Sequence, residues 1–478
     1  MLFNSIDFAI FFPSFFVLYW LVAKHLTVRN ALILAGSYLF YGWWDWRFLF
    51  LIIFSSFVDF FAGLAMEKAL NQRKRKLLLL VSLTANLGLL MYFKYANFFI
   101  DSFVQSFRFF GGEIEATTLN IILPVGISFY TFQTLSYTLD IYYKKLSPTR
   151  NMLAFFSFVA FFPQLVAGPI ERAKHLLPQF YVKHKFNYRY ARTGFLLMAF
   201  GLFKKMVIAD RLGILVNQVY SDPTNYSGGA LAVATLAFGF QIYCDFSGYS
   251  DIAIGAARTM GFDLMKNFNA PYFSKSITEF WRRWHISLST WFRDYVYIPL
   301  GGSRKKEFRV YFNLFVVFVV SGLWHGAAIT FVIWGAVHGL VIVIEKFFSN
   351  HNFKISRKGA WVLLFLPLTY LIANYAWIFF RADSTADALY IARHVFDLGQ
   401  TTDFFALGLA SHEFYAGLVA VLLLLIFDAV HIKYNAVKLL DKVPMLLRQV
   451  FYVVIIFTIL IFGIYGQDGV SEFIYFQF

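Results

Sequence analysis

Long runs of apolar residues, separated by short polar segments, dominate the pattern along this chain. In runs such as 315–320 and 418–427 every position is apolar, whereas a strand of a membrane barrel would alternate apolar and polar residues. A helix needs about 20 apolar residues to cross about 30 Å of hydrocarbon, because it rises only about 1.5 Å per residue. The pattern therefore predicts an all-α, polytopic membrane protein.

The apolar runs predict about eleven to twelve transmembrane helices in one membrane domain over residues 1–478, since no internal repeat or low-complexity linker interrupts them. Basic loops alternate with neutral or mildly acidic ones, which places the amino terminus outside by the positive-inside rule. Four charged residues fall within 194–220 and favour an interfacial position for part of that segment. The candidate spans are 6–23, 30–44, 48–66, 77–92, 119–139, 194–220, 228–243, 309–324, 327–344, 360–380, 414–430 and 447–465.

Residues 152–170 are apolar enough to span, yet basic residues flank them on both sides, beginning with Arg150 and Arg172. Both ends should therefore lie on the cytoplasmic side. Pro163 and Pro169 each remove a backbone donor and disfavour one continuous helix. We expect a re-entrant hairpin whose backbone is supported by neighbouring helices.

A histidine hairpin is predicted at residues 309–346, because Arg309 and Lys346 should both face the cytoplasm and an apolar stretch joins them. Its apex carries Trp324, His325 and Gly326. Fifteen residues from Val310 climb only about 22 Å, so we expect His325 inside the bilayer. A titratable group there costs about 2 to 3 kcal/mol or more against lipid, which makes His325 a functional candidate.

The glycines at 322 and 326 would allow close backbone approach beside His325. The alternative role for such a histidine is a hydrogen bond that joins two helices, and His338 lies in a setting that suits this alternative.

Residues 276–298 predict an amphipathic helix at the cytoplasmic side, with a capping box from Ser276 and Glu279. One reading is an interfacial helix anchored by its tryptophans. The other places His285 at the mouth of the His325 cavity, with cations near it for a phosphorylated donor. Those cations are Arg282, Arg283 and Arg293.

Residues 245–251 follow an apolar span and lead into another, and they include Asp245 and Asp251. Polar side chains near a membrane interface need partners. These could cap the next helix or orient a histidine, and the sequence leaves both roles open. Cys244, just before them, could carry an acyl thioester, although a buried inert thiol is the commoner outcome.

Composition narrows the class further. Of the 478 residues 59% are hydrophobic and only 14% are charged, which is too little polar surface for a water-soluble globule. The chain has 42 Lys and Arg against 27 Asp and Glu, and the excess lies in short loops. This placement fits the positive-inside rule for membrane proteins and argues against a nucleic-acid-binding protein. One cysteine permits no internal disulfide and shows no metal-ligand spacing, so no metal site is expected. The run 8–23 has no basic residue before it and no cleavage signal after it, and it is expected to be a retained span.

Several motifs together resemble the membrane-bound O-acyltransferase family, specifically its alginate O-acetyltransferase branch. They are Tyr249-Ser250-Asp251, the run 276–294, Gly301-Gly302, Trp324-His325-Gly326 and 168–172. The tryptophan-rich helix and the histidine hairpin are the most specific of these, and the similarity covers residues 3–478.

The resemblance implies a helical shell around a central tunnel, through which an acetyl group from a cytoplasmic thioester such as acetyl-CoA is passed outward (EC 2.3.1 class). No tightly bound cofactor is implied. His325 matches the family's invariant histidine and His285 its second histidine, while the tail 473–478 matches an acyl-relay motif in which Tyr475 is the acyl carrier. The remaining candidates for donor binding or support are Trp324, Arg282, Arg283, Arg293, Asp245 and Asp251.

The resemblance also implies a bacterial cytoplasmic (inner) membrane, and as partners an exported polysaccharide such as alginate and an extracytoplasmic acetyltransferase or hydrolase-like acceptor protein. Cys244 stands where the family usually has an aromatic residue, which weakens any role for that position. Two other classes stay open. A transporter of polysaccharide or small molecules would also have many spans with polar groups at membrane depth, and a scaffold subunit would leave catalysis to a partner.

Overall fold

The computed structural model describes residues 1–109, 119, 121–351, 359–399, 402–434, 436–465 and 473–474. Within these residues every regular element is a helix, mostly α-helix with short 3-10 and π segments. The prediction of an all-α polytopic protein is therefore confirmed. By their internal contacts the residues form two compact units, one of Met1–Gly194 and Ala256–Met265 and the other of Phe195–Gly255 and Lys266–Phe478.

The first unit is built from apolar helices joined by short turns. A π segment, Met91–Tyr95, connects two of them without a break. The helices are α1 (Ile6–Val22), α2 (Leu26–Asp45), α3 (Leu49–Lys68), α4 (Gln72–Leu90), α5 (Ala96–Phe109), α6 (Ile127–Tyr142), α7 (Met152–Ala160), α8 (Phe162–Leu165), α9 (Ala173–Leu176) and the beginning of α10 (Tyr188–Leu202).

A buried polar cluster joins α3, α4 and α6 in this unit. The Asp59 carboxylate accepts two hydrogen bonds from the Asn86 amide, at 3.1 and 3.0 Å, and one from the Ser82 hydroxyl. Ser82 in turn contacts the Thr138 hydroxyl at 3.2 Å. Because apolar surroundings offer no water, these side chains satisfy one another and fix how the three helices pack.

The segment 152–170 is interrupted, as its prolines predict. Helix α7 ends at Ala160, Phe161 leaves the helical region with ψ 105, and Pro163 lies in the first turn of the short α8. The freed amide of Phe162 donates to the Ser37 hydroxyl at 3.0 Å, so a neighbouring helix supplies the partner that the break requires. Whether the segment enters and leaves the bilayer on one side stays a prediction.

A charged cluster holds the loop after α8 against residues 263–265. Glu171 is fully buried, accepts from the Met265 amide and contacts His175 Nδ1 at 2.8 Å. His175 Nε2 lies 3.7 Å from Asp263 Oδ2. The two carboxylates, Asp263 and then Glu171, raise the pKa of His175 to about 10, so the imidazole is charged at neutral pH.

The second unit contains the longer helices of the carboxyl-terminal part. A π segment, Phe203–Ala209, continues α10 into the next helix. The helices are the rest of α10, α11 (Asp210–Tyr220), α12 (Gly228–Thr259, except its last four residues, which belong to the first unit), α13 (Ile277–Arg283), α14 (Ile286–Phe292), α15 (Glu307–His325), α16 (Ile329–Asn350), α17 (Val362–Arg381), α18 (Thr385–His394), α19 (Ser411–Tyr434), α20 (Ala436–Lys442) and α21 (Met445–Phe462).

Eight stretches of the described residues are long and apolar enough to cross a membrane, fewer than the eleven to twelve spans expected. Leu26–Lys68 alone contains two predicted spans, whereas α1 and α6 are only 17 and 16 residues long and 194–220 keeps its charged residues. The eight are Leu26–Lys68, Gln72–Arg108, Gly228–Thr259, Glu307–His325, Ile329–Asn350, Val362–Arg381, Ser411–Tyr434 and Met445–Phe462. The protein is therefore a multi-pass membrane protein.

Candidate active site

The predicted histidine hairpin is formed by α15 and α16, and His325 is the last residue of α15. Helix α15 begins at Glu307, three residues before the expected start, so its 19 residues rise about 28 Å rather than 22 Å. The depth of His325 in a bilayer stays a prediction. The histidine itself is buried, with 3% of its surface exposed.

Glycines make the hairpin possible. A Cβ on Gly322 would lie 2.2 Å from the carbonyl oxygen of Phe331, and a Cβ on Gly326 would lie 2.0 Å from the Phe331 ring. Gly335 on α16 is equally close to the Phe318 carbonyl, at 2.4 Å. Helices α15 and α16 therefore pack backbone against backbone, as expected for the glycines beside His325.

Aromatic rings enclose the imidazole of His325. The ring centroids of Trp324, Trp334 and Phe380 lie 4.9, 5.0 and 5.5 Å from it, all close to edge-on. Trp334 in turn stacks on Trp377 at 5.5 Å, and both tryptophans are fully buried. Such an enclosure excludes water from the side of the imidazole that it covers.

His285 does not lie on one continuous amphipathic helix, and that prediction is wrong. Residues 276–298 form α13, α14 and a π segment, Arg293–Tyr297, with a break at Trp284 and at His285, whose φ of 43° is left-handed. A left-handed conformation costs a residue other than glycine about 1–2 kcal/mol. The spacing of hydrophobic residues along the segment could not reveal this break, because its cause lies elsewhere in the chain.

That cause is the loop at Asn267. Its backbone carbonyl accepts from the Ile286 amide at 2.9 Å, and its side-chain oxygen accepts from the Ser287 hydroxyl at 2.9 Å. The same oxygen lies 3.1 Å from His285 Nδ1, so Asn267 orients the imidazole. Burial lowers the pKa of His285 to about 3, which keeps its ring neutral at physiological pH.

The structure brings the two predicted histidines together. The ring centroids of His285 and His325 are 6.3 Å apart, and Trp324 lies 6.1 Å from His285. His285 also contacts Phe246 of α12, with ring centroids 4.6 Å apart. Two imidazoles and one indole thus share one buried cluster in the second unit, which we call the histidine pair site.

Helix α13 is fixed to α16 by two polar links. The Glu345 carboxylate accepts from the amides of Ile277 and Thr278, at 3.0 and 2.9 Å. Trp281 Nε1 donates to His338 Nδ1 at 3.3 Å. His338 therefore joins α13 and α16 through a hydrogen bond, the role that its setting in the sequence suits. Within the capping box, Ser276 accepts from the Glu279 amide, but Glu279 accepts from Lys275 instead of Ser276.

The three predicted cations differ in their partners and exposure. Arg283 binds Glu279 at 2.7 Å and the Asn269 carbonyl at 3.4 Å. Arg293 pairs with its neighbour Asp294, and both Arg293 and Arg282 are exposed to solvent. Arg282 and Arg293 are therefore the more exposed of the three arginines.

Asp245 and Asp251 lie inside one continuous helix, so the expectation of a segment between two spans that caps the second is wrong. Lysines on the π segment pair with them: Lys205 contacts Asp245 at 2.7 Å and Asp210 at 2.8 Å, and Lys204 contacts Asp251 at 2.6 Å. Both aspartates of α12 therefore have cationic partners, and the helix continues through them to Thr259.

Sequence reasoning missed Lys204, Lys205 and Asn267 as site residues. The two lysines gave a signal, because charged residues inside an apolar stretch need partners. Asn267 gave none. It is linked to α12 through a hydrogen bond from its amide to the Ser250 hydroxyl at 3.1 Å, so α12 orients His285 indirectly. Cys244 is fully buried, as the inert alternative expects.

The carboxyl-terminal segment reaches this part of the second unit. Phe473 packs on Tyr249 and Phe246, with ring centroids 4.8 and 5.8 Å apart, and the Ile474 amide donates to Asp245 Oδ2 at 2.8 Å. Tyr475, the predicted acyl carrier, lies outside the described residues.

Several known proteins are similar in sequence to this chain over most of its length. The profile of the membrane-bound O-acyltransferase family matches residues 83–361. The probable alginate O-acetylase AlgI of Pseudomonas aeruginosa is 41% identical over 402 residues, covering 84% of this chain and 75% of the relative. The peptidoglycan O-acetyltransferase of Helicobacter pylori is 36% identical over 423 residues, covering 82% and 79%.

A more distant relative is the teichoic acid D-alanyltransferase of Bacillus subtilis, 30% identical over 260 residues, which cover 51% of this chain and 63% of the relative. The family profile includes His285, His325 and the whole of α12, and the relatives at 41% and 36% cover more than two thirds of both chains. The chain therefore belongs to the membrane-bound O-acyltransferase family and is an O-acyltransferase.

Proposed function

We propose that the protein moves an acetyl group from a cytoplasmic thioester, such as acetyl-CoA, across the bacterial cytoplasmic membrane for O-acetylation of an exported polysaccharide such as alginate. The observation that carries this proposal is the histidine pair site, in which His325 and His285 share one buried aromatic enclosure. The names of the relatives support the polysaccharide, since they act in alginate, peptidoglycan and teichoic acid modification.

In the proposed reaction a hydroxyl, of Tyr475 or of an acceptor protein, attacks the thioester carbonyl carbon. His325 takes the hydroxyl proton as general base, because a neutral imidazole accepts a proton near neutral pH and a hydroxyl is otherwise a poor nucleophile. A C–O bond forms, the C–S bond breaks, and the proton passes from the imidazolium to the departing thiolate. The product is an acetyl ester and a free thiol.

His285 acts beside this base and does not replace it. Its ring is neutral and is oriented by Asn267, so it is suited to hold the donor or relay a proton. Trp324 contacts both imidazoles and limits the space for the acyl group beside them. The exposed cations Arg282 and Arg293 would attract a phosphorylated donor, whereas Arg283 pairs with Glu279 within α13.

The second transfer needs partners. An acetyl ester on Tyr475 would pass to an extracytoplasmic acceptor, either an exported acetyltransferase or hydrolase-like protein or the polysaccharide itself. With the amino terminus outside, as the basic loops favour, the carboxyl terminus would also lie outside, where such an acceptor is found.

The test uses purified protein in vesicles, with labelled acetyl-CoA supplied on one side. We expect His325→Ala to lower acetyl transfer by about 100-fold or more, the range of a lost general base. His412→Ala, at an exposed histidine of the same unit, is the control and should match the wild type. Wild-type transfer by His325→Ala would refute the assignment of the base.

A second arm of the same assay examines the acyl carrier. We expect label on the carboxyl-terminal peptide of the wild type and none on that of Tyr475→Phe. Label retained on this peptide in the variant would rule out Tyr475. Label that crosses the vesicle membrane without ever becoming covalently bound would support the transporter instead.

A further inference from the structure

Two residues near the end of the chain are packed into the second unit as firmly as core residues. Phe473 is 1% exposed and Ile474 is 3% exposed. Carboxyl-terminal residues are usually poorly ordered unless something holds them. Here the holding group is a side chain that emerges from the middle of helix α12.

That side chain is the carboxylate of Asp245. Its Oδ2 accepts from the Ile474 amide at 2.8 Å, and its Oδ1 contacts Lys205 Nζ at 2.7 Å. Lys205 also binds Asp210 at 2.8 Å, so the ammonium group is held between two carboxylates. The two oxygens of Asp245 thus each meet a donor, one the ammonium group of Lys205 and the other the amide of Ile474.

An aromatic surface completes the contact. Tyr249 lies four residues after Asp245 and therefore on the same face of α12. Phe473 packs on its ring, with centroids 4.8 Å apart and planes tilted by 33°. Phe246 contacts Phe473 at 5.8 Å and His285 at 4.6 Å, so a single ring separates the tail from the histidine pair site.

We propose that Asp245, supported by Lys205, and the rings of Phe246 and Tyr249 form a docking site for the chain's own carboxyl-terminal segment. Asp245 is then a positioning residue: it holds Ile474, which directly precedes Tyr475 in the sequence, beside the histidine pair site. The inference rests on the proposed function, in which Tyr475 carries the acetyl group.

A carboxylate suits this task better than an amide. An asparagine at position 245 offers one oxygen and one NH₂ group, so it can accept from Ile474 or from Lys205 but not from both. Asp245→Asn keeps the volume of the side chain and leaves Lys205 paired with Asp210. Because the charged Lys205 is the stronger donor, the amide oxygen should turn to it and leave the NH₂ group facing the Ile474 amide, which releases the tail without emptying the buried cluster.

The first measurement is the rate at which a carboxypeptidase shortens the full-length protein in detergent, followed by intact mass. We expect Asp245→Asn to raise this rate about tenfold, which corresponds to about 1.4 kcal/mol of docking. Asp251→Asn, which alters the other paired carboxylate of α12, is the matched control and should leave the rate unchanged. Thermal unfolding of each variant checks that it is folded.

Phe473→Ala provides an independent variant on the tail itself, where it cannot disturb the Lys205 cluster. It should also raise the rate of shortening by several-fold. If neither Asp245→Asn nor Phe473→Ala changes the rate, the docking site is refuted.

Acetyl label on the carboxyl-terminal peptide separates this inference from the proposed function. Loss of label in folded Asp245→Asn, with the tail released, supports Asp245 as a positioning residue. A protected, labelled tail in Asp245→Asn overturns the docking site while leaving the acyl carrier intact. A released tail in Asp245→Asn, together with full labelling of Tyr475→Phe, supports docking and refutes the acyl carrier.

Discussion

Gly322 offers a sharp test of the link between helix packing and catalysis. It lies one turn before His325, where α15 crosses close to α16. A methyl group at this position would lie 2.2 Å from the carbonyl oxygen of Phe331, whereas ordinary contacts begin at 3.4 Å. Because the obstructing atom belongs to the backbone, no side-chain rotation relieves it, and α15 and α16 must separate by about 1.2 Å.

The separation affects stability and rate to different extents. Overpacking a well-packed interior typically costs about 1–3 kcal/mol, so Gly322→Ala should lower the melting temperature but still fold. The rate is more sensitive, because a misplacement of about 1 Å can cost about 100-fold when reacting groups must be held in a defined geometry. We therefore expect acetyl transfer to fall by about two orders of magnitude.

The assay compares acetyl transfer and thermal unfolding in detergent for Gly322→Ala and Gly88→Ala. Gly88 is an appropriate control because it also lies within a long helix, α4, yet a Cβ there meets no atom within 4 Å. Gly88→Ala should be neutral or stabilising by about 0.5–1 kcal/mol. Wild-type transfer by Gly322→Ala would show that the position of His325 does not depend on this contact, and the reasoning would fail.

Two further predictions concern polar contacts. Asn267→Leu removes the oxygen that accepts from Ser287 and orients His285, so stability should fall by about 1–3 kcal/mol and transfer should fall with it; unchanged thermal unfolding would contradict this role. The pKa of His175 is raised to about 10 from an ordinary 6.5, so its contribution to stability is complete below about pH 6.5 and is lost as the pH rises towards 10. The melting temperature should therefore fall between pH 7 and 10, and His175→Gln should flatten that slope; an equal slope in the variant would exclude His175.

The hairpin around His325 could be predicted because its signals are local. Arg309 and Lys346 mark the same side, the run between them is apolar, and Gly322 and Gly326 lie beside the histidine. Each of these features lies in the helices of the hairpin or within a few residues of their ends. Three of the four helix ends accordingly fall within two residues of those expected, whereas α16 continues six residues further, to Asn350.

The break at His285 and the continuity of α12 could not be predicted, because their causes are distant in sequence. Asn267 stabilises the break from 18 residues away. Asp245 and Asp251 resemble a polar turn in the sequence, because their partners Lys205 and Lys204 lie on another helix. A periodic pattern contains no information about such partners.

The left-handed backbone of His285 also has a consequence for protein engineering. Glycine or asparagine would adopt a φ of 43° with less strain than histidine does, but neither carries an imidazole. Stability and activity therefore oppose each other at this single position. A library of variants sorted for heat resistance alone should drift away from histidine here, whereas sorting for acetylated product should restore it.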